Sequence, residues 1–210
     1  MKTKDATPLL AKLVKLRAEI DQVFQPEFDS GLNQLGLILS ENLKNGGYWC
    51  TPENSVSFAG TGGDGVHFSL LLIDGQVSDL CPVIMTVPAL SRDIQNLCIG
   101  ENLSDFIRFG LNQGFFRMEE LSYLGESVLD SFSFSGLSSQ KRDGFDELSE
   151  DALNRKMLDY IGNTLDLLPL SYSLQRFRDL QEKYLSMIRY PDDYYQKTKK
   201  KNPNENHRML

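Results

Sequence analysis

The sequence contains few of the residues from which catalytic and metal sites are built. Only two histidines and three cysteines occur among 210 residues. The cysteines, Cys50, Cys81 and Cys98, lie far apart, and no two of them form a Cys-x-x-Cys arrangement. This spacing favours buried, reduced thiols over a zinc site or a disulfide framework. We therefore expect no bound metal.

A complete catalytic motif is also missing. There is no Gly-x-Ser-x-Gly nucleophile elbow, and His67 is the one histidine outside the C-terminal tail that could serve as a base. A dyad between His67 and Cys50 or Cys81 stays open, although no local pattern supports it. The sequence predicts a protein without catalytic activity and without a cofactor.

Long apolar runs are absent from the first residues. The stretch MKTKDATPLLAKLVKLR carries Lys12, Lys15 and Arg17 inside or next to its apolar pattern. It therefore lacks the uninterrupted apolar region of a signal peptide or a membrane span. We expect a cytoplasmic protein that does not contact a membrane.

The sequence also has fewer positively charged than negatively charged residues. Lysine and arginine number 22 against 29 aspartate and glutamate residues, which gives a net charge of -7 and a pI near 4.9. Most nucleic-acid-binding proteins depend on attraction to phosphates, so this balance argues against such a ligand. A basic protein partner suits the charge better.

What the sequence does contain is the composition of a globular chain, with 40% hydrophobic residues. Apolar residues recur at helical spacing after Thr7 and Pro8, which suit the N-cap and first position of a helix that ends before Pro26. The spacing of leucines and isoleucines predicts a second helix from about Phe28 to Leu43.

Strand patterns follow these two helices. The runs SVSFA, VHFSLLLI and CPVIMTVPA are rich in β-branched and aromatic residues, and a fourth short strand is predicted around Asn96 to Ile99. The segment GENLSDFIRFGL reads as a turn into a helix, and another helix is predicted from Phe116 to Leu124. We expect an α+β fold with a small, mainly antiparallel sheet packed by the N-terminal helices.

The second half of the chain divides by composition. We predict an α+β domain over residues 1–125 and a serine- and glycine-rich loop over 126–148. A helical extension over 149–190 packs on the same domain, and a polar, locally basic tail occupies 191–210.

The glycine cluster in SVSFAGTGGDGVHFSLLLIDG raises the question of a phosphate site. A P-loop needs a lysine after its last glycine, whereas Val66 follows Gly65 here and Asp64 adds a repelling charge. The four residues GGDG also resemble the turn of NAD kinases and diacylglycerol kinases, so a small nucleotide-dependent enzyme remains the alternative function. The flanking strand patterns favour a tight hairpin turn formed by Gly60, Gly62, Gly63 and Gly65.

Aromatic and acidic residues near turns are the candidate contacts for a partner. Tyr48 and Trp49, the single tryptophan, lie in GGYWCTPEN, and aromatic residues are enriched at binding hot spots. Asp64, Asp74 and Asp79 lie in three turn-like stretches. Each of the five could also be a turn former or a core residue.

The order of these features resembles the SUKH superfamily, which includes bacterial immunity proteins and fungal cell-wall regulators. The resemblance rests on two N-terminal helices, the strand–glycine turn–strand unit, the run CPVIMTVPA and a closing helix that begins at NLSDFI, residues 102–107. It covers about residues 28–115. It implies an α+β protein without catalytic activity that binds and blocks a protein toxin, often a nuclease with a basic cleft.

Overall fold

The chain has an α+β fold, as the sequence predicts. The computed structural model describes residues 7–26, 30–90, 94–132, 150–192 and Tyr194. Five antiparallel strands form one sheet in which neighbours in sequence are neighbours in space. The strands are β1 (Ile38–Lys44), β2 (Ser55–Gly60), β3 (His67–Leu71), β4 (Val83–Thr86) and β5 (Asn96–Gly100).

Helices precede and follow the sheet in sequence. They are α1 (Pro8–Phe24), α2 (Gly31–Gln34), α3 (Leu103–Gly110), α4 (Glu120–Leu124), α5 (Glu150–Leu165) and α6 (Leu174–Leu185), with 3₁₀ helices at Phe116–Glu119 and Gly125–Phe132. The predicted helix α1 and the four predicted strands are confirmed. Part of the predicted loop is instead the second 3₁₀ helix, whereas residues 133–149 and most of the tail lie outside the described residues.

The predicted helix from Phe28 to Leu43 is wrong. Of the residues that the structure describes in this range, 30–43, only Gly31–Gln34 is helical, and the chain then enters strand β1. Gly36 has a φ of +81°, and a Cβ there would lie 2.5 Å from the backbone nitrogen of Phe116. The left-handed conformation ends the helix, and the close contact with Phe116 leaves room for glycine alone.

One face of the sheet is apolar and forms the core. Phe58 of β2 and Phe68 of β3 meet Phe106 of α3, with ring centroids 5.4 and 4.9 Å apart respectively. Phe115 packs on the same Phe106 ring at 5.2 Å. Aromatic rings in such edge and tilted contacts bury large areas, so α3 holds this face of the sheet.

The opposite face of the sheet carries a row of buried polar side chains. Ser57 and Ser69 share a hydrogen bond of 2.8 Å, and the Thr86 hydroxyl donates to the Asn96 side-chain oxygen at 2.7 Å. The Asn96 amide in turn donates to the backbone oxygen of Cys50 at 3.0 Å. The loop over residues 45–54 therefore covers this face through hydrogen bonds, which satisfy the buried polar groups.

Residues near the C-terminus hold the loop over residues 45–54 in place. We call residues 187–192 and Tyr194 the C-terminal strap. The Asn54 side chain donates to the Met187 oxygen at 3.0 Å and accepts from the Arg189 nitrogen at 2.8 Å. Trp49 stacks on the buried ring of Tyr194 with centroids 5.5 Å apart. The strap therefore fixes the loop that carries Tyr48 and Trp49.

Helix α6 covers the edge of the sheet at β5. The Gln181 side chain accepts from the Cys98 nitrogen at 2.9 Å and donates to the Cys98 oxygen at 2.8 Å. This pairing satisfies backbone groups that an edge strand would otherwise expose. The helical extension thus contacts the sheet directly, while the domain boundaries stay a prediction.

Candidate functional site

The glycine cluster is the turn that joins antiparallel strands β2 and β3. The Thr61 nitrogen donates to the Val66 oxygen at 3.1 Å, and the Val66 nitrogen donates to the Gly63 oxygen at 2.9 Å. Gly62, Asp64 and Gly65 have positive φ angles of 89°, 47° and 73°. Strand β3 follows the turn, so a nucleotide would find no helix N-terminus for its phosphates here.

A cleft of about 380 Å³ opens beside this turn. Its lining comprises Ile38, Ser40, Lys44, Gly46, Tyr48, Ser57, Ala59, Gly60, Gly62, Gly63, Gly65, Val66 and His67. Strand β1 pairs with β2 at its two ends, whereas the register shifts between Leu39 and Lys44. The sequence-based candidates Tyr48, Gly60, Gly62, Gly63 and Gly65 are thus brought together around one cavity.

Tyr48 closes one side of the cleft over a buried histidine. Its ring stacks on His67 with centroids 5.5 Å apart, and a Cβ at Gly65 would lie 2.5 Å from the tyrosine ring. The His67 Nδ1 lies 2.7 Å from the Gly65 oxygen, so this nitrogen carries the proton. Nε2 then accepts from the Thr51 hydroxyl at 3.0 Å. The neutral imidazole therefore connects the glycine turn to the loop over residues 45–54 through two hydrogen bonds.

Burial lowers the pKa of His67, although its hydrogen bond to Gly65 opposes that shift. A histidine with a depressed folded pKa is neutral in the native state and gains a proton more readily when unfolded. We expect stability to fall as the pH drops below about 6.5, by up to about 1.4 kcal/mol per pH unit. Thermal unfolding of the wild type and of His67→Gln between pH 8 and 5 measures this. An identical pH dependence in the two proteins would contradict it.

Asp64 lies at the exposed tip of the turn and faces other acidic groups. Burial raises the pKa of Glu119, and the charges of Asp64 and Glu120 raise it further. Burial and the charges of Glu119 and Asp64 likewise raise the pKa of Tyr123. Glu120 pairs with Arg117 at 3.0 Å, whereas neither Asp64 nor Glu119 forms an ion pair within the described ranges. Two repelling carboxylates therefore lie beside an aromatic side chain.

The other three candidates lie elsewhere. Trp49 is half buried against Tyr194 and supports the loop. Asp74 is exposed and accepts a local hydrogen bond from the Gln76 nitrogen at 3.0 Å. Asp74 and Asp79 belong to the β3–β4 connection, which in an antiparallel sheet lies at the end opposite the glycine turn.

Asp79 caps helix α1. Its carboxylate accepts from the backbone nitrogens of Leu9 at 2.6 Å and Leu10 at 3.4 Å, whereas Thr7 provides no side-chain cap. Burial raises the pKa of Asp79, and these two hydrogen bonds oppose the rise. Thr7 is the N-cap residue and Pro8 opens the helix, as the sequence predicts, but the Thr7 side chain does not make the capping hydrogen bond. A residue about 70 positions away in sequence makes the cap.

Loss of this cap should weaken the attachment of α1. We expect Asp79→Ala to lower the free energy of unfolding by about 1 kcal/mol, because it leaves two helix N–H groups without an acceptor. Urea unfolding measures the change, and Asp74→Ala is the matched control on the same connection. Equal stability losses in the two variants would contradict the capping role.

Sequence reasoning missed Glu119 and Tyr123 as neighbours of Asp64, and Phe116 as the neighbour of Gly36. They lie more than fifty residues after Asp64, and no local pattern connects the two segments. Among the described residues, no group of three or more histidine, cysteine, aspartate or glutamate side chains could hold a metal ion. Within those residues there is also no helix of the length and apolarity that crossing a membrane requires.

Comparison of the chain with protein-family models, curated proteins and solved structures finds no match.

Proposed function

We propose that the chain is a protein-binding module without catalytic activity, whose partner is a basic protein. The binding surface is the turn patch, which we define as Ile38, Tyr48, Asp64, Phe116, Glu119 and Tyr123. Ile38 touches the turn at Gly62, and Tyr48 touches it at Gly65. Phe116 lies against Gly36, two residues before Ile38. The patch is therefore built from three separate segments around one turn.

The observation that carries this proposal is a set of exposed aromatic side chains near Asp64 and Glu119, two carboxylates that form no ion pair within the described residues. Tyr48, Phe116 and Tyr123 are 44%, 43% and 49% exposed respectively. Exposure of these large apolar rings to water is unfavourable in free energy. Aromatic residues also contribute much of the binding energy at protein interfaces. A cluster of them on an exposed surface supports docking of a protein.

The electrostatics of the patch favour a basic partner. Asp64 and Glu119 raise each other's energy in the free protein, since the pKa of Glu119 is raised by burial and by the charge of Asp64. A lysine or arginine placed between them would relieve that repulsion. The acidic net charge of the whole chain would also speed the encounter.

The resemblance to the SUKH superfamily suggests the form of this binding, namely neutralisation of a toxin in the cytoplasm by direct contact. Three free, buried cysteines are compatible with a reducing compartment. A nucleotide-dependent enzyme is not favoured, because β3 follows the glycine turn and Glu119 adds a second carboxylate next to Asp64.

Affinity capture from the native host with the full chain tests the proposal. We expect the wild type to capture a basic protein, and the purified pair to bind directly in calorimetry. Asp64→Asn should weaken this binding by about tenfold, because it removes one close charge pair with the partner. Asparagine tolerates the positive φ at this position, so the variant should keep its fold.

Asp74→Asn is the matched control, because it removes one exposed charge at the other end of the sheet. It should bind the partner as the wild type does. ATP and NAD should leave the melting temperature of the free protein unchanged. The proposal fails if no basic protein binds directly, if both variants bind equally well, or if a nucleotide raises the melting temperature.

A further inference from the structure

We propose that the cleft beside the glycine turn binds a singly charged carboxylate attached to a flat apolar group. This ligand site goes beyond the proposed function, because it lies inside the cleft and needs no protein partner. A volume of about 380 Å³ falls within the range of small-molecule pockets. The cavity therefore suits a group the size of one aromatic acid.

Glycines form much of the lining. Five of the lining residues are glycines, and a Cβ added at four of them would collide with a neighbouring atom. A Cβ at Gly46 would lie 2.7 Å from the His67 Nε2, and one at Gly62 would lie 2.6 Å from the Ile38 side chain. Glycines at these positions let the His67 and Ile38 side chains pack closely against the backbone that lines the cleft.

A single positive charge faces the cleft. Lys44 is the one lysine or arginine among the lining residues, and the lining contains no aspartate or glutamate. Within the part of the chain that the structure describes, Lys44 forms no ion pair. His67 is neutral because burial lowers its pKa. The cleft thus has one cation without a counter-charge, to which an anion would bind.

The remaining polar groups of the lining suit carboxylate oxygens. Ser40, Ser57 and Tyr48 line the cleft and have hydroxyl groups. The backbone N–H groups of Gly62, Gly63 and Gly65 have no partner among the described hydrogen bonds. Successive backbone N–H groups of a turn can form a concave site for anions. Charge and hydrogen-bond donors therefore meet in one cavity.

The surroundings restrict the ligand to one negative charge. Asp64 belongs to the same turn, and Glu119 lies near Asp64. For a phosphate with two charges, the repulsion from these acids and the attraction to Lys44 both double, whereas the cost of removing the ligand's charge from water rises about fourfold. This argument favours a carboxylate over a phosphate and agrees with the absence of a P-loop lysine from the turn.

The apolar part of the ligand would pack against Tyr48 and Ile38. Tyr48 is held in place by its stack on His67, so its ring offers a fixed wall. Flat groups gain from offset stacking on such a ring. An aromatic acid, or a phenylalanine residue at the C-terminus of a peptide, has both the carboxylate and the flat apolar group.

Titration of the full chain with benzoate, followed by amide NMR, tests the proposal. We expect saturable shifts of the Gly62, Gly63 and Gly65 amide signals with a Kd on the order of 1 mM, which is typical of so small a ligand. Benzamide, which has the same shape without the charge, should cause no saturable shifts. A phenylalanine-terminated tripeptide with a free carboxylate, compared with its amide, distinguishes a peptide end from a free acid as the source.

Lys44→Gln should weaken benzoate binding by at least about tenfold, whereas Lys44→Arg should retain it. Lys15→Gln, on the exposed surface of α1, is the matched control and should bind as the wild type does. Either of two results would overturn the proposal. One is the absence of saturable shifts up to about 20 mM benzoate, and the other is equal binding by wild type and Lys44→Gln.

Discussion

Replacement of Tyr194 by alanine is expected to lower the free energy of unfolding by about 3 kcal/mol. The ring is 1% exposed, and it stacks on Trp49 with centroids 5.5 Å apart and on Tyr190 at 4.1 Å. Its removal would leave a cavity under the loop that carries Tyr48 and Trp49. Chemical denaturation monitored by tryptophan fluorescence measures the loss, because Trp49 is the single tryptophan.

Tyr194→Phe provides the matched control. It keeps the ring and removes the hydroxyl, which donates a long hydrogen bond of 3.4 Å to the Gln95 side chain. We expect this variant to lose less than about 1 kcal/mol, the usual net value of one hydrogen bond. If alanine and phenylalanine have equally small effects, the strap does not hold the loop.

Replacement of Tyr123 by alanine is expected to weaken binding of the basic partner at least about thirtyfold, which corresponds to about 2 kcal/mol. Tyr123 is half exposed, and its pKa is raised by burial and by the charges of Glu119 and Asp64. It therefore stands at the junction of the aromatic and acidic parts of the turn patch. Calorimetric titration of the purified partner measures the loss.

Ile73→Ala is the control for Tyr123→Ala. Ile73 is 56% exposed and follows β3, at the end of the sheet opposite the turn patch. The control variant should bind with unchanged affinity, and thermal unfolding should show that both variants are folded. Unchanged affinity in Tyr123→Ala would place the interface elsewhere.

Local patterns in the sequence were enough to predict most of the sheet. Alternating apolar residues located β2, and the β-branched run around Ile84 located β4. These signals are local, because strand preference depends on the chemistry of neighbouring side chains. The predicted helix from Phe28 to Leu43 is wrong because a contact with a distant part of the chain decides the structure there. The chain turns at Gly36 because Phe116, eighty residues later, packs against it.

The candidate site was predicted only in part, for the same physical reason. Tyr48 and the glycines of the turn were identified, since aromatic and turn residues have local signatures. Glu119 and Tyr123 reach Asp64 through the packing of distant segments, which no local spacing encodes. The sequence predicts Asp79 as a candidate contact residue, and the structure shows that its carboxylate caps α1. A carboxylate near a turn has the same sequence signature in both roles.

Photo-crosslinking in the native host tests the central claim most directly. A photoreactive phenylalanine analogue is placed at position 123 of the full chain, and in a second protein at position 73, where the side chain is equally exposed. The turn patch predicts a crosslink to one basic protein from position 123 and none from position 73. No crosslink from position 123, or the same product from both positions, would contradict the claim that this patch binds a partner.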